Sequence, residues 1–422
     1  MELWKTDGTP EGSVMIKDIN PGLNDGRAQL LAHHGNHLYF LATDGVNSDE
    51  VWRSNGTEDG TVQLTNVVDY ASSNVDYLTD VDGTLYFFAD DGTYGYELWK
   101  SDGTPENTVL VKDIEPGSDG SYSYVTLNFN GTLYFSAWNT AYGNEMWMSD
   151  GTEAGTVLLK DIVPGSDEPW IEFGATAADL FYLLVYDSNW TMSVWKSDGT
   201  TEGTTHVVDL TDSVYSPPVT SNNLLYFTMW TSGIGEELWR SDGTAEGTLL
   251  VKDIYPDSND SDIEFMTDYN NTVYFAATDD TNGTELWKSD GTQDGTSLVK
   301  DIVPGVSNSN PSHLTVSNNK LFFSADNGSG AELWQSDGTD AGTVMVKDIS
   351  SLAQGSSPAN LTDVNGTIFF SATNTIFGNA LWKSDGTAAG TVLVADIVPG
   401  AKDADLDNFV TANGKLFFTV AS

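Results

Sequence analysis

Glu97-Leu98-Trp99-Lys100-Ser101-Asp102-Gly103-Thr104 reads ELWKSDGT, and its close copies place a Trp at positions 4, 52, 99, 147, 195, 239, 287, 334 and 382. The nine copies stand 44 to 48 residues apart. A period near 47 residues marks a propeller, a solenoid or another array, because one such unit is too small to bury a core alone. Around the motif, one unit can be followed from residue 70 to 114. Segment a is Tyr77-Leu78-Thr79-Asp80-Val81 and segment b is Thr84-Leu85-Tyr86-Phe87-Phe88-Ala89. Segment c is Glu97 to Lys100, and segment d runs from Thr108 to Ile114. Each is a short run of β-branched and aromatic residues bounded by Gly, Asn, Asp or Pro, which reads as a strand. The a–b turn is Asp82-Gly83, Asn130-Gly131, Asn365-Gly366 or Asn413-Gly414, the dipeptides that supply the positive φ of a type I′ hairpin. No stretch carries a helical period.

Four antiparallel strands and a longer link describe a propeller blade. The chain starts with a c–d half (Glu2 to Ile19) and stops after an a–b half (Phe409 to Val420). Those halves complete one blade and clasp a ring. The expected fold is therefore all-β: a closed β-propeller of nine four-stranded blades, with an open array as the rival. The blades fall at about 20–69, 70–114, 115–162, 163–210, 211–254, 255–302, 303–349, 350–397, and 398–422 plus 1–19. All 422 residues form a single propeller on this reading.

Composition bounds the function. A net charge of -45 repels nucleic-acid phosphates and anionic lipid, so neither is an expected partner. There is no cysteine, hence no disulfide and no thiolate metal site. No apolar run reaches membrane-spanning length. No signal peptide precedes the first motif copy, so the chain is expected to be a segment of a longer exported protein. A monomeric ring is expected.

The pattern E-L-W-K-S-D-G-T-x-x-G-T-x-x-V-K-D-I resembles the bacterial ELWxxDGT repeat family, sometimes labelled hyalin-like, over essentially the whole chain. Members are large exported or cell-surface proteins. The resemblance implies secretion or a cell-surface location and a role in adhesion, and it implies no reaction.

Each repeated residue type has a bland reading and a functional one. The motif Trp column fits a core residue between blades better than a row of sugar platforms. The Asp of Asp-Gly-Thr fits an Asx turn, since a single carboxylate per turn is a poor cage for an ion that wants six to eight oxygens. Calcium is the cofactor the acidic loops suggest, with candidate ligands Asp90, Asp91 and Glu97 in one b–c loop and Asp279, Asp280 and Glu285 in another. A c–d hairpin register that opposes Glu97 to Lys112 would give cross-strand ion pairs. His33, His34 and His37 cluster at one turn without an evident fourth zinc ligand.

Four Trp residues lie outside the motif: Trp138, Trp170, Trp190 and Trp230. All fall in three successive blades, at the ends of b strands, in b–c loops or in a d–a link, which emerge on one face. Tyr142, Tyr186 and Tyr215 lie nearby. The repeat is weakest there, with Ser193-Val194-Trp195 in place of Glu-Leu-Trp. Trp138, Tyr142, Trp170, Tyr186, Trp190 and Trp230 are therefore the candidate ligand-binding residues, with a glycan or cell-surface partner. No catalytic set is recognised. The expected function is a non-catalytic adhesion or carbohydrate-binding module; a structural spacer, calcium-stabilised, and a polysaccharide-active enzyme are the alternatives.

Overall fold

The computed structural model of the chain describes residues 1–22, 26–46, 49–65, 75–164, 169–177, 179–350, 355–400 and 403–421. Among the described residues are nine four-stranded antiparallel sheets and one three-residue 3₁₀ turn, Pro105–Asn107. The second blade shows the plan: a is Asp76–Val81, b is Thr84–Asp90, c is Tyr96–Ser101 and d is Val109–Lys112, hydrogen-bonded in that order. Innermost a strands pack against each other all the way round, and the first blade's meets the ninth's. The chain is a closed nine-bladed β-propeller.

Closure is made by the two chain ends. The ninth sheet takes Asp405–Ala412 and Lys415–Ala421 as a and b, and Glu2–Thr6 and Val14–Lys17 as c and d. Glu2 pairs with Val420 and Thr6 with Leu416 across the seam.

The hairpins obey their turn residues. Asn130 and Gly131 take φ of 52° and 76°, and Asn270 and Asn271 take 55° and 59°, as a type I′ turn requires. Each core lies between two blades, because a single twisted sheet has two apolar faces to cover. One cluster joins Phe88, Leu98 and Ile114 of the second blade to Leu133, Phe135 and Trp147 of the third. The motif Trp residues sit in these inter-blade cores: Trp147, Trp287, Trp334 and Trp382 are each 6% exposed. Opposite them on strand b runs a column of fully buried Phe that includes Phe87, Phe135, Phe275 and Phe370.

The motif turn is a closed hydrogen-bond unit. Asp102 Oδ1 accepts from Thr104 N at 2.9 Å and Thr104 Oγ1 at 2.7 Å, while Ser101 Oγ accepts from Gly103 N at 3.0 Å. These bonds stabilise the ionised Asp102 and lower its pKa.

The expected Glu97–Lys112 ion pair does not form. A bulge in strand d sets Lys112 opposite Leu98. Lys112 instead reaches the next blade, where its Nζ donates to the Thr156 carbonyl at 2.8 Å. Column c does the same. Lys100, Lys196, Lys288 and Lys383 donate to the carbonyls of Gly151, Gly243, Gly338 and Gly8, each in the motif turn of the following blade, at 2.7 to 2.8 Å. The repeated cations are staples between blades.

Glu97 turns inward. Its carboxylate accepts from the N–H groups of Ile114 at 3.1 Å and Glu115 at 3.0 Å, fixing the start of the d–a link. Glu145, Glu237, Glu285 and Glu332 hold the corresponding pair of N–H groups in their own blades.

Candidate functional site

The d–a link of the second blade is pinned at Ser121. Its N–H donates to the Tyr96 carbonyl at 2.8 Å, and its carbonyl accepts from Trp138 N at 2.6 Å. Ser261, Ser309 and Ser356 bridge later blades in the same way. The pin fixes the path of the residues that follow. In the second link these are Tyr122, Ser123 and Tyr124, and both tyrosines emerge onto the loop face, 54% and 39% exposed.

Tyr124 meets Trp170, which opens the next blade's a strand (Trp170–Ala177) rather than lying in the link as expected, with ring centroids 4.8 Å apart. Trp170 is steadied by an Nε1–H bond to Glu172 Oε1 at 2.7 Å. Together Tyr122, Tyr124, Trp138, Asn144, Pro169 and Trp170 enclose a cleft of about 310 Å³. Asn144 is its polar group. The side chain is 4% exposed, and Nδ2 donates to the Pro169 carbonyl at 2.8 Å, which settles which end of the amide is oxygen. Among the described residues, nothing donates a hydrogen bond to the buried Asn144 Oδ1. A buried acceptor without a donor costs on the order of 1–3 kcal/mol.

Of the residues singled out in the sequence, Trp138 and Trp170 are brought together in this cleft. Trp190 stands apart, 81% exposed at the tip of a loop held by Asp187, with its ring 6.4 Å from Tyr186. Tyr142 is exposed and Trp230 half-buried, and neither lines the cleft. Sequence reading missed Tyr122, Tyr124, Asn144 and Pro169. The signal was present in Ser121-Tyr122-Ser123-Tyr124, an alternation of aromatics in a link where other blades carry Asp, Asn and Ser.

The calcium candidates are differently employed. Asp90 Oδ1 accepts from Gly92 N, and Asp91 Oδ1 from Thr93 N and Tyr94 N. Asp279 binds Thr281 N and both nitrogens of Asn282, and Asp280 takes the Thr281 hydroxyl. Glu97 and Glu285 are the buried link holders described above. Among the described residues, no group of three or more His, Asp or Glu side chains is placed to hold a metal ion. His33 Nε2 lies 2.9 Å from its own turn's Gly35 carbonyl. No helix among the described residues is long and apolar enough to cross a membrane.

No family model and no curated protein matches the chain. Among solved structures it is similar to a puromycin hydrolase, at 12% identity and a TM-score of 0.40, over 84% of this chain and 59% of that one. A puromycin-hydrolyzing peptidase of Mycobacterium tuberculosis matches at 10% identity and a TM-score of 0.44, over 93% of this chain and 57% of that one. Prolyl oligopeptidase B from Galerina marginata matches at 12% identity and 0.42, over 76% of this chain and 50% of that one. The chain thus spans between half and three-fifths of the length of these proteins. The expectation of a non-catalytic adhesion or carbohydrate-binding module is corrected by this finding: the structures named are a puromycin hydrolase, a puromycin-hydrolyzing peptidase and a prolyl oligopeptidase, and neither an adhesin nor a carbohydrate-binding protein is among them. Matches this distant assign no activity to the present chain.

Proposed function

We propose that the propeller is a ligand-binding ring, and that its cleft takes a flat apolar group carrying an N–H donor. Asn144 carries the reading. Its oriented, buried Oδ1 lacks a donor among the described residues, in a wall that they otherwise form with aromatic faces and a proline. A flat group laid against the paired rings of Tyr124 and Trp170 would be held by aromatic contact, and an N–H beside it would relieve the acceptor. Among the described residues the lining supplies aromatic faces, a proline and an amide, so the reading assigns binding. Export, which the repeat resemblance implies, belongs to the same reading; fractionation of the source cells that found only a cytosolic pool would remove it.

The test is isothermal titration calorimetry with N-acetyl-tryptophanamide and N-acetyl-prolinamide as probes. Saturable binding of at least one probe is expected, abolished by Trp170→Ala and weakened about tenfold by Asn144→Ala. Absence of saturable heat with both probes, or unchanged binding in Trp170→Ala, would overturn the reading.

A further inference from the structure

A second cavity of about 350 Å³ lies beside the cleft, and Tyr122 and Tyr124 line both. Its far walls include Asp76, Tyr77, Asp90 and Tyr96. The geometry points to this cavity as the seat of a Lys or Arg side chain on an extended peptide whose flat apolar residue fills the first cleft. The inference rests on the reading of that cleft as a ligand site and names its ligand class.

Charge is the first support. Asp76 has no cationic partner among the described residues; its one side-chain bond is a weak one, accepted by Oδ2 from the Tyr96 hydroxyl at 3.4 Å. Burial raises its pKa, so its charge stands poorly compensated. Asp90 adds a second carboxylate to the same walls. The chain as a whole, at -45, draws cations and repels anions.

Aromatic faces are the second support. Tyr96 stacks on Phe88 and on Tyr122, with centroids 5.7 and 6.2 Å away, and the exposed rings of Tyr122 and Tyr77 present the wall. Phenol faces around a carboxylate suit an alkylammonium or guanidinium group.

Backbone strain is the third. Tyr122 holds φ of 42°, in the residue that follows the pinning Ser. Elsewhere in the ring that place is filled by Asp262, Asn310 and Ser357, at φ of 45°, 46° and 47°. Asn and Asp tolerate the left-handed region, whereas a bulky aromatic there is an outlier that the surrounding fold must sustain. The strained residue is one of the two that line both cavities.

A peptide fits both cavities at once. Its main chain supplies the N–H for Asn144, and two nearby side chains supply the flat group and the cation. The same calorimetry decides it, with the capped tripeptides Trp-Gly-Lys and Trp-Gly-norleucine, and n-butylammonium alone. The Lys peptide should bind on the order of tenfold more tightly than the norleucine peptide, and added salt should shrink the difference. Asp76→Asn should erase that advantage while leaving N-acetyl-tryptophanamide binding unchanged. Tyr77→Asn, a residue the ring already accepts at the matching φ in Asn360 and Asn408, should reduce the advantage several-fold. Equal binding of the two tripeptides to the wild-type protein would overturn the inference, and n-butylammonium binding as tightly as the Lys peptide would overturn the assignment to a peptide. Failure of both N-acetyl-tryptophanamide and N-acetyl-prolinamide to bind is a separate result, which removes the first cleft instead.

Discussion

At the scale of single residues, the repeat spends its charged side chains on backbone. Lys288 Nζ spans two blades to reach the Gly338 carbonyl at 2.8 Å. A charged donor on a half-buried carbonyl is worth more than a surface ion pair, so Lys288→Met should lower stability by about 2 kcal/mol in urea denaturation. A loss no larger than a few tenths would mean water serves that carbonyl equally well. The buried glutamates make a second prediction, and its sign follows from burial. Desolvation pushes the Glu97 and Glu145 carboxyls up to about 8, against the lowering effect of the N–H groups they accept from; the nearby charges of Asp113 and Asp161 add to the rise. Glu237 and Glu285 rise to about 7 for the same reason. In the unfolded chain such groups ionise near 4.5. Between pH 4.5 and 8 the folded ring therefore holds more protons than the unfolded chain, and its stability falls as pH rises through that window. The melting temperature should decline across that window. Glu97→Gln should flatten the decline relative to wild type, which separates this effect from the general repulsion of the acidic surface. Parallel wild-type and Glu97→Gln curves would exclude Glu97 as a contributor.

At the scale of the strand and turn, the sequence was legible wherever one residue type decides a local geometry. Asn-Gly and Asp-Gly marked the a–b hairpins because few other pairs accept two successive positive φ values. The Asp-Gly-Thr turn was legible for the same reason, and the Trp column because a large apolar residue at a fixed place in every blade must go where blades meet. The d-strand bulge was not legible: it shifts Lys112 by one place and undoes the Glu97–Lys112 pair, yet leaves no mark in a run such as Val109-Leu110-Val111-Lys112. The aromatic cleft was half legible. Trp138 and Trp170 stood out against the repeat, but Tyr122 and Tyr124 reach the cleft through the Ser121 pin, and Asn144 is fixed there by its bond to the Pro169 carbonyl, contacts between segments well apart in the chain. Turn chemistry yields its own prediction. Gly131 sits at φ of 76°, and a Cβ there would lie 2.4 Å from Asp82 Oδ2 of the preceding blade. Gly131→Ala should therefore cost more than about 1 kcal/mol, through both backbone strain and the displaced carboxylate. A neutral result would show that the Asp82 side chain swings away freely and that the turn tolerates the strain.

At the scale of the whole ring, closure outweighs any single contact, because nine blades leave no blade with an exposed face only while the last one is complete. Leu3, Ile16 and Ile19 of the N-terminal hairpin are buried in a cluster that also holds Leu38 and Phe40 of the first blade and Phe417 of the ninth. Burying three such side chains contributes about 6 kcal/mol, before the strand pairing from Glu2–Val420 to Thr6–Leu416 is counted. Two staples cross the same region: Lys383 to the Gly8 carbonyl entering the ninth blade, and Lys5 to the Gly56 carbonyl leaving it. Acidic repulsion acts against closure, and the net charge of -45 makes it a long-range force that salt screens. Removing residues 1–19 should therefore lower the melting temperature more than any single substitution proposed above, and should expose Phe40 and Phe417 to a hydrophobic dye. Added salt should raise the melting point of both the intact and the truncated chain without restoring the difference between them, since screening relieves repulsion but supplies no strands. A synthetic peptide of residues 1–19 should restore it, by refilling the two empty places in the ninth sheet. A truncated chain that melts like the intact one would mean the ring holds its shape with an incomplete blade, and that the seam contributes no stability of its own.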